Sequence, residues 1–298
     1  MAATMVSASP LNILSPNRTP NKPQMEPNVA NVVLGNLHVK PWYPSFYPED
    51  MVSGRKTEWL YVCQWCFRYT SEIVKFSAHC KACPLKDEPP PGEVVYDKAD
   101  YIIHELDGAD HRLYAQNLSL FSKLFLETKS VFFDVVGFFS KEKMSWDNNN
   151  VACILVFPPW QRRGLGQILI GASYEFGKRE GRFGGPERPL SALGRKGYIG
   201  FWCGEVHRFL LRAPLKRMVA VRDISEGTFI MQEDVVAALK EMDVLEKRKT
   251  ATGSIVVNKS KLRAWADRHG VSREPIVDVD AFVEAEGDEE DEGSEMEE

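Results

Sequence analysis

Val151-Ala152-Cys153-Ile154-Leu155-Val156-Phe157, followed by Pro158-Pro159-Trp160-Gln161-Arg162-Arg163-Gly164-Leu165-Gly166, is the stretch whose reading decides the fold. Seven apolar residues without alternation suit a strand covered on both faces, and the two prolines end it. From Gly166 to Arg179, Ile168, Leu169, Ala172 and Phe176 continue a stripe begun by Leu165, which predicts an amphipathic helix. The intervening glycines let backbone approach a ligand, and the free amides of a helix start favour phosphate oxygens. Arg162 and Arg163 would add charge-assisted contacts. No Gly-Lys-Ser/Thr follows, so this is not an ATP-type phosphate loop. On its own the turn reads equally well as an exposed basic loop.

Upstream, Tyr101 to Leu106 predicts a strand, Asp107-Gly108 a turn, Asn117 to Thr128 a buried helix, and Val131–Phe133 and Val136–Phe139 two further strands. Downstream of Trp202 the pattern is mainly helical, with Val235, Val236 and Leu239 at helical spacing. A turn centred on Gly253 then precedes a strand at Ile255–Val257. The class is mixed α/β without internal repeats.

The N-terminal residues 1–31, rich in Pro, Asn and Ser, read as a flexible arm, with order beginning near Val32. Trp42 to Pro48 reads as an extended segment pinned by its rings, and Pro89-Pro90-Pro91-Gly92 as a connector. Residues 284–298 hold ten acidic and no basic side chains, which predicts a solvated tail. Without it the net charge of −5 becomes +5, so the body is mildly basic. A chain of 298 residues with 44 % hydrophobic content can build a sizeable core. The longest apolar run is far too short to cross a bilayer, and the first twenty residues lack a secretory pattern, so no membrane role is expected.

Six cysteines are too few for a disulfide scaffold at this length and point to a reducing compartment. Four of the positions form Cys63-x2-Cys66-x12-His79-x3-Cys83, the spacing of a tetrahedral zinc knuckle, with His79 and Cys83 one turn apart on a helix. Cys80 competes with His79, because Cys63, Cys66, Cys80 and Cys83 also make two Cys-x2-Cys pairs. Either set fills all four positions with protein, so one structural zinc ion is expected.

Several stretches together resemble the MYST family of histone acetyltransferases. These are Ser122 to Leu126, Gly137 to Lys143, Asn150 to Leu155, the Gln161-to-Gly166 loop and Pro186-Glu187-Arg188-Pro189-Leu190-Ser191, preceded by the zinc knuckle and Trp42 to Pro48. The resemblance runs from about Val32 to Lys261. Ser145 to Asn150 look most like the fungal silencing-type branch.

It implies an N-acetyltransferase-type mixed sheet core with an N-terminal zinc knuckle and a C-terminal winged-helix-like segment. The implied domain spans 32–283, divided as knuckle 60–84, acetyl-CoA core 93–202 and winged-helix-like part 203–283. Glu187 matches the general base and Cys153 the family's catalytic cysteine. Ile154, Leu155 and Val156 match backbone contacts to the acetyl group and pantetheine arm. Arg162, Arg163, Gly164, Leu165, Gly166 and Gln167 match the pyrophosphate loop, and Ser191 a further cofactor contact. Lys123 matches an autoacetylated lysine, while Gly197 and Gly200 replace serines common in relatives. Implied partners are histone tails and nucleosomes, histone four foremost, with accessory chromatin subunits in a nuclear setting. The resemblance leaves direct DNA binding open.

The rival class is a zinc-finger chromatin or DNA-binding protein without activity. One departure from the family pattern bears on activity. Relatives insert a further strand between the segments ending at Val135 and beginning at Val136, and this chain fuses them. A sheet lacking that strand is expected to be poorly stable or weakly active, as in a splicing or gene-model variant of a longer enzyme.

Overall fold

The computed structural model describes residues 26–52, 57–98, 101–126, 136–142, 145–213, 219–247 and 255–283. The arm before residue 26, the strand expected at 131–133, the turn at Gly253 and the acidic tail lie outside the described residues.

The first sheet starts earlier than the expected boundary at Val32. β1 (Val29–Leu34) folds back on β2 (Leu37–Val39) as an antiparallel pair. Past the short α1 (Glu49–Val52), β3 (Thr57–Val62) lies parallel to β1 and antiparallel to β4 (Tyr69–Thr70). Val29 is fully buried and registers with Thr57, so burial and pairing both draw residues 29–31 out of the expected arm. Trp42 to Pro48 crosses without regular structure, and its rings do pin it. Trp42 sets its edge to Phe125 at 5.7 Å, and Tyr47 to Tyr69 at 4.7 Å. α2 (Ile73–Lys81) follows β4.

β5 (Glu93–Lys98) and β6 (Tyr101–Glu105) form an antiparallel hairpin. α3 spans Arg112–Lys123, not 117–128. Asp107 starts it early, accepting from Ala109 N–H through its side chain (2.8 Å) and from His111 N–H through its carbonyl (3.1 Å). At the other end Leu124 and Phe125 donate three residues back and close the last turn. Exposed Leu113 had blurred the apolar stripe at its start. Leu118, Phe121 and Leu124 bury against the first sheet and against Phe138 and Phe157.

β7 (Gly137–Ser140) and β8 (Asn149–Val151) come next, then β9 (Cys153–Val156), a three-residue 3-10 turn at Pro158–Trp160 and α4 (Leu165–Arg179). The run expected to be one central strand is therefore split at Ala152. β9 pairs antiparallel with β7, whereas β8 pairs parallel with β10 (Gly185–Pro186) on the opposite side. α5 (Ala192–Arg212), α6 (Val221–Thr228) and α7 (Gln232–Glu241) pack with α4 around Tyr198, Trp202, Val206, Ile224 and Leu239. β11 (Leu245–Lys247) and β12 (Ile255–Val257) make a hairpin before α8 (Lys259–His269), the helix–hairpin–helix order of a winged-helix-like end.

Among the described residues, β6 is paired on one edge only, by β5, and β7 on one edge only, by β9. Between them lies a cavity of about 940 Å3, walled by Tyr101 to Leu106, by Val136 to Glu142, and by Leu165, Ile168 and Phe176 of α4. Among the described residues no strand bridges β6 and β7.

Candidate active site and zinc centre

The knuckle grows from the open end of β3. Cys63 and Cys66 occupy a turn in which Phe67 N–H returns to the Cys63 carbonyl (3.0 Å). α2 presents His79 and ends at Lys81, so Cys83 sits two residues past the helix and not on it. The four ligand atoms of Cys63, Cys66, His79 and Cys83 all lie within 4.8 Å of one another, with Cys66 Sγ 3.1 Å from His79 Nε2. Ligands around one tetrahedral zinc stand roughly 3–4 Å apart, so this donor set fits the ion and leaves no open position. It is the one such group among the described residues, and half-exposed Cys80 falls outside it. The bond from Cys66 holds the Cys63 thiol down to about 4, so one sulfur is already suited to bind as thiolate.

The second site forms where β8–β9 changes partners. Ser140 drives the change: its carbonyl accepts from Ala152 N–H (2.8 Å) and its hydroxyl from Cys153 N–H (3.2 Å). Two residues thus oppose one, which kinks the strand at Ala152. On the other side Pro186 registers with Val151, and Glu187 N–H donates to the Val151 carbonyl at 2.8 Å. That bond is the last between the two strands, and beyond it they diverge. Buried Cys153 thus follows the kink on one arm of the fork and half-buried Glu187 begins the other, although the two are far apart in sequence.

Past the fork one edge of β9 has no partner strand among the described residues. Phe157 N–H donates to Val136 O (2.9 Å), which sets the ladder so that Leu155 turns its amide and carbonyl to β7. The backbone groups of Ile154 and Val156 then face the open edge, where the Gln161 side chain already donates to Val156 O (2.8 Å). Of the three expected backbone contacts, Ile154 and Val156 have the orientation for a ligand and Leu155 does not.

The same edge leads to the start of α4. Gly164 adopts φ +83°, a turn that favours glycine, and exposed Arg162 and Arg163 flank it. The amides of Leu165 and Gly166 point out of the helix start without intrahelical carbonyls, as a diphosphate site requires. Gln167 is turned elsewhere, donating to Gly197 O of α5 (2.8 Å). Ser191 is the N-cap of α5, accepting from Gly194 N–H at 3.0 Å. Lys123 closes α3 with its ammonium 4.9 Å from the Phe46 ring centre. A Cβ at Gly200 meets nothing within 4 Å. Gly200→Ala is accordingly expected to stabilise α5 by about 0.5–1 kcal/mol; an unchanged or lower melting temperature would contradict it.

Ser140, Gln161 and the Arg188–Asp234 ion pair were not singled out from sequence. Their partners are backbone atoms or residues distant in the chain, which no local spacing marks.

The chain matches the MYST family zinc finger domain over residues 26–83. It matches the MOZ/SAS family over 89–136 and 134–282, two pieces that overlap just before β7. It is 35 % identical over 240 residues to the Putative MYST-like histone acetyltransferase 1 of Oryza sativa subsp. japonica, covering 74 % of this chain and 52 % of that protein. It is also 35 % identical to the Histone acetyltransferase Tip60 homolog of Caenorhabditis elegans, covering 81 % and 56 %. The chain thus spans about half the length of these two relatives. With Histone acetyltransferase SAS2 of Saccharomyces cerevisiae it shares 35 % identity over 285 residues, 83 % of this chain and 82 % of that one. Both the zinc knuckle and the forked sheet with its glycine loop therefore lie in matched sequence, and the chain belongs to the MYST (MOZ/SAS) family.

Proposed function

We propose that this chain transfers the acetyl group of acetyl-CoA to the ε-amino group of histone-tail lysines in the nucleus, histone four being the preferred substrate. The observation that carries the reading is the fork itself, an open strand edge leading from Cys153 and Glu187 to a basic glycine loop at a helix start. The diphosphate of the cofactor would rest on the amides of Leu165 and Gly166 with Arg162 and Arg163 alongside. Its extended arm would hydrogen-bond the outward-facing backbone groups of Ile154 and the amide of Val156, whose carbonyl Gln161 already holds.

Glu187 takes a proton from the substrate ammonium, and the freed amine attacks the thioester carbonyl. The C–S bond then breaks, and the departing thiolate of CoA is protonated. Buried Cys153 lines the point of transfer. The zinc knuckle holds the N-terminal sheet, and α6 to α8 wall the cleft from the other side, which requires no contact with DNA. Relatives named histone acetyltransferases support the substrate class, and accessory chromatin subunits fit that setting.

Titration with acetyl-CoA followed by radiolabel transfer to histones tests the reading against a non-catalytic zinc-finger protein. Saturable cofactor binding and labelled histone are expected. Salt-sensitive duplex binding without either would favour the rival. Robust acetylation by the 33.8 kDa chain itself would overturn the expectation that the interrupted sheet weakens it.

A further inference from the structure

Glu187 stands on a loop that begins with Gly184-Gly185, whose backbone has little intrinsic stiffness. Its main chain is fixed on one side by the bond to Val151 O (2.8 Å). On the other side the next residue, Arg188, reaches α7. Its guanidinium hydrogen-bonds Asp234 Oδ1, lies 3.7 Å from Glu233, and has its carbon 6.0 Å from the Trp202 ring centre on α5.

The two ends of this bond differ in burial. The Arg188 side chain is 50 % exposed, that of Asp234 only 4 %. Asp234 Oδ2 has no hydrogen-bond partner among the described residues and lies 3.5 Å from the place a Cβ on Gly185 would take. A carboxylate held this deep, against the backbone of the loop and with one oxygen committed to Arg188, is costly to keep for packing alone. Burial raises its pKa and Arg188 opposes that rise.

We infer that Asp234 is a positioning residue for Glu187: by anchoring Arg188 it fixes the loop that carries the base and ties its placement to α7 of the C-terminal part. This rests on the reading of Glu187 as the base. A base displaced by about 1 Å loses on the order of a hundredfold in rate, so the anchor acts on turnover and not on cofactor affinity.

Asp234→Asn keeps the shape and leaves only a half-exposed arginine to be rehydrated, so the variant should fold. Expected are an unchanged Kd for acetyl-CoA, KM for a histone peptide within about threefold of the parent, and kcat lower by about 10- to 100-fold. Arg188→Lys, which retains the charge, should keep kcat within about threefold. Added to Glu187→Gln, Asp234→Asn should lower kcat no further, because there is no base left to position. Parental kcat in Asp234→Asn, or a loss that adds in full to that of Glu187→Gln, overturns the inference. Should Asp234→Asn not fold, Arg188→Gln combined with Asp234→Asn replaces the ion pair by a neutral one and is read the same way. Parental activity of Glu187→Gln alone would instead remove the base, a distinct failure.

Discussion

Glu187→Gln should bind acetyl-CoA as the parent does and turn over about 10^2- to 10^4-fold more slowly, the range that a positioned base contributes. A lysine ammonium of pKa ~10.4 is neutral in only about one molecule in a thousand near pH 7.5, a deficit worth roughly 4 kcal/mol. The carboxylate removes that deficit by accepting the proton in place. The amide cannot accept it, so the variant's rate should climb about tenfold per pH unit toward the lysine pKa, while the parent's levels off earlier. Parental activity of the variant at neutral pH would take Glu187 out of the mechanism. Cys153→Ser separates the routes, since direct transfer predicts a milder loss than that of Glu187→Gln. Trapping an acetylated Cys153 with acetyl-CoA alone would show the covalent route instead.

Removing zinc should have the second large effect. α2 has no buried residue of its own, so the metal replaces the core that the knuckle lacks. Apparent zinc binding in comparable small sites is about 10–16 kcal/mol, as large as the whole stability of a domain, about 5–15 kcal/mol. Chelation should therefore release Cys63 to Cys83 to proteolysis at Lys75 and Lys81. β3 should outlast the knuckle, because Leu60 and Val62 are fully buried in the first sheet. One zinc per chain is expected in the parent and in Cys80→Ser, and loss of the metal in His79→Ala. The reverse pattern would exchange Cys80 for His79 in the ligand set.

The legible parts of this molecule were those whose physics is local. The knuckle could be read from spacing because a metal dictates ligand separation along a turn and a helix. The choice between His79 and Cys80, and the place of Cys83 beyond the end of α2, needed the structure. α4 and α7 followed from their periodicity, and the start of α3 did not, because Leu113 faces water and an Asp107 turn initiates it. Resemblance nominated Cys153 and Glu187, yet what sets them on the two arms of one fork is a parallel pairing of β8 with β10 and a kink made by Ser140. Neither leaves a mark in periodicity. Asp234 carries no local signature, because its bond to Arg188 joins residues 46 positions apart.

Among the described residues no backbone ladder joins β6 to β7, and this bears on which parts of the molecule move as one. A continuous ladder would make the β5–β6 hairpin cooperative with the catalytic strands. Here its ties run to the C-terminal segment: Tyr96 bridges Phe282 with ring centres 4.8 Å apart, Val283 N–H donates to Val95 O (3.1 Å), and Lys98 pairs with Asp278 (2.9 Å). The hairpin and the residues around Phe282 are therefore expected to loosen together, and they do so against α4, whose Phe176 and Arg179 both pack on the Phe282 ring. A fluctuation that frees Phe282 therefore opens the hairpin and bares one face of α4, while the hydrogen bonds of Ser140 and Val151 that shape the fork are left intact.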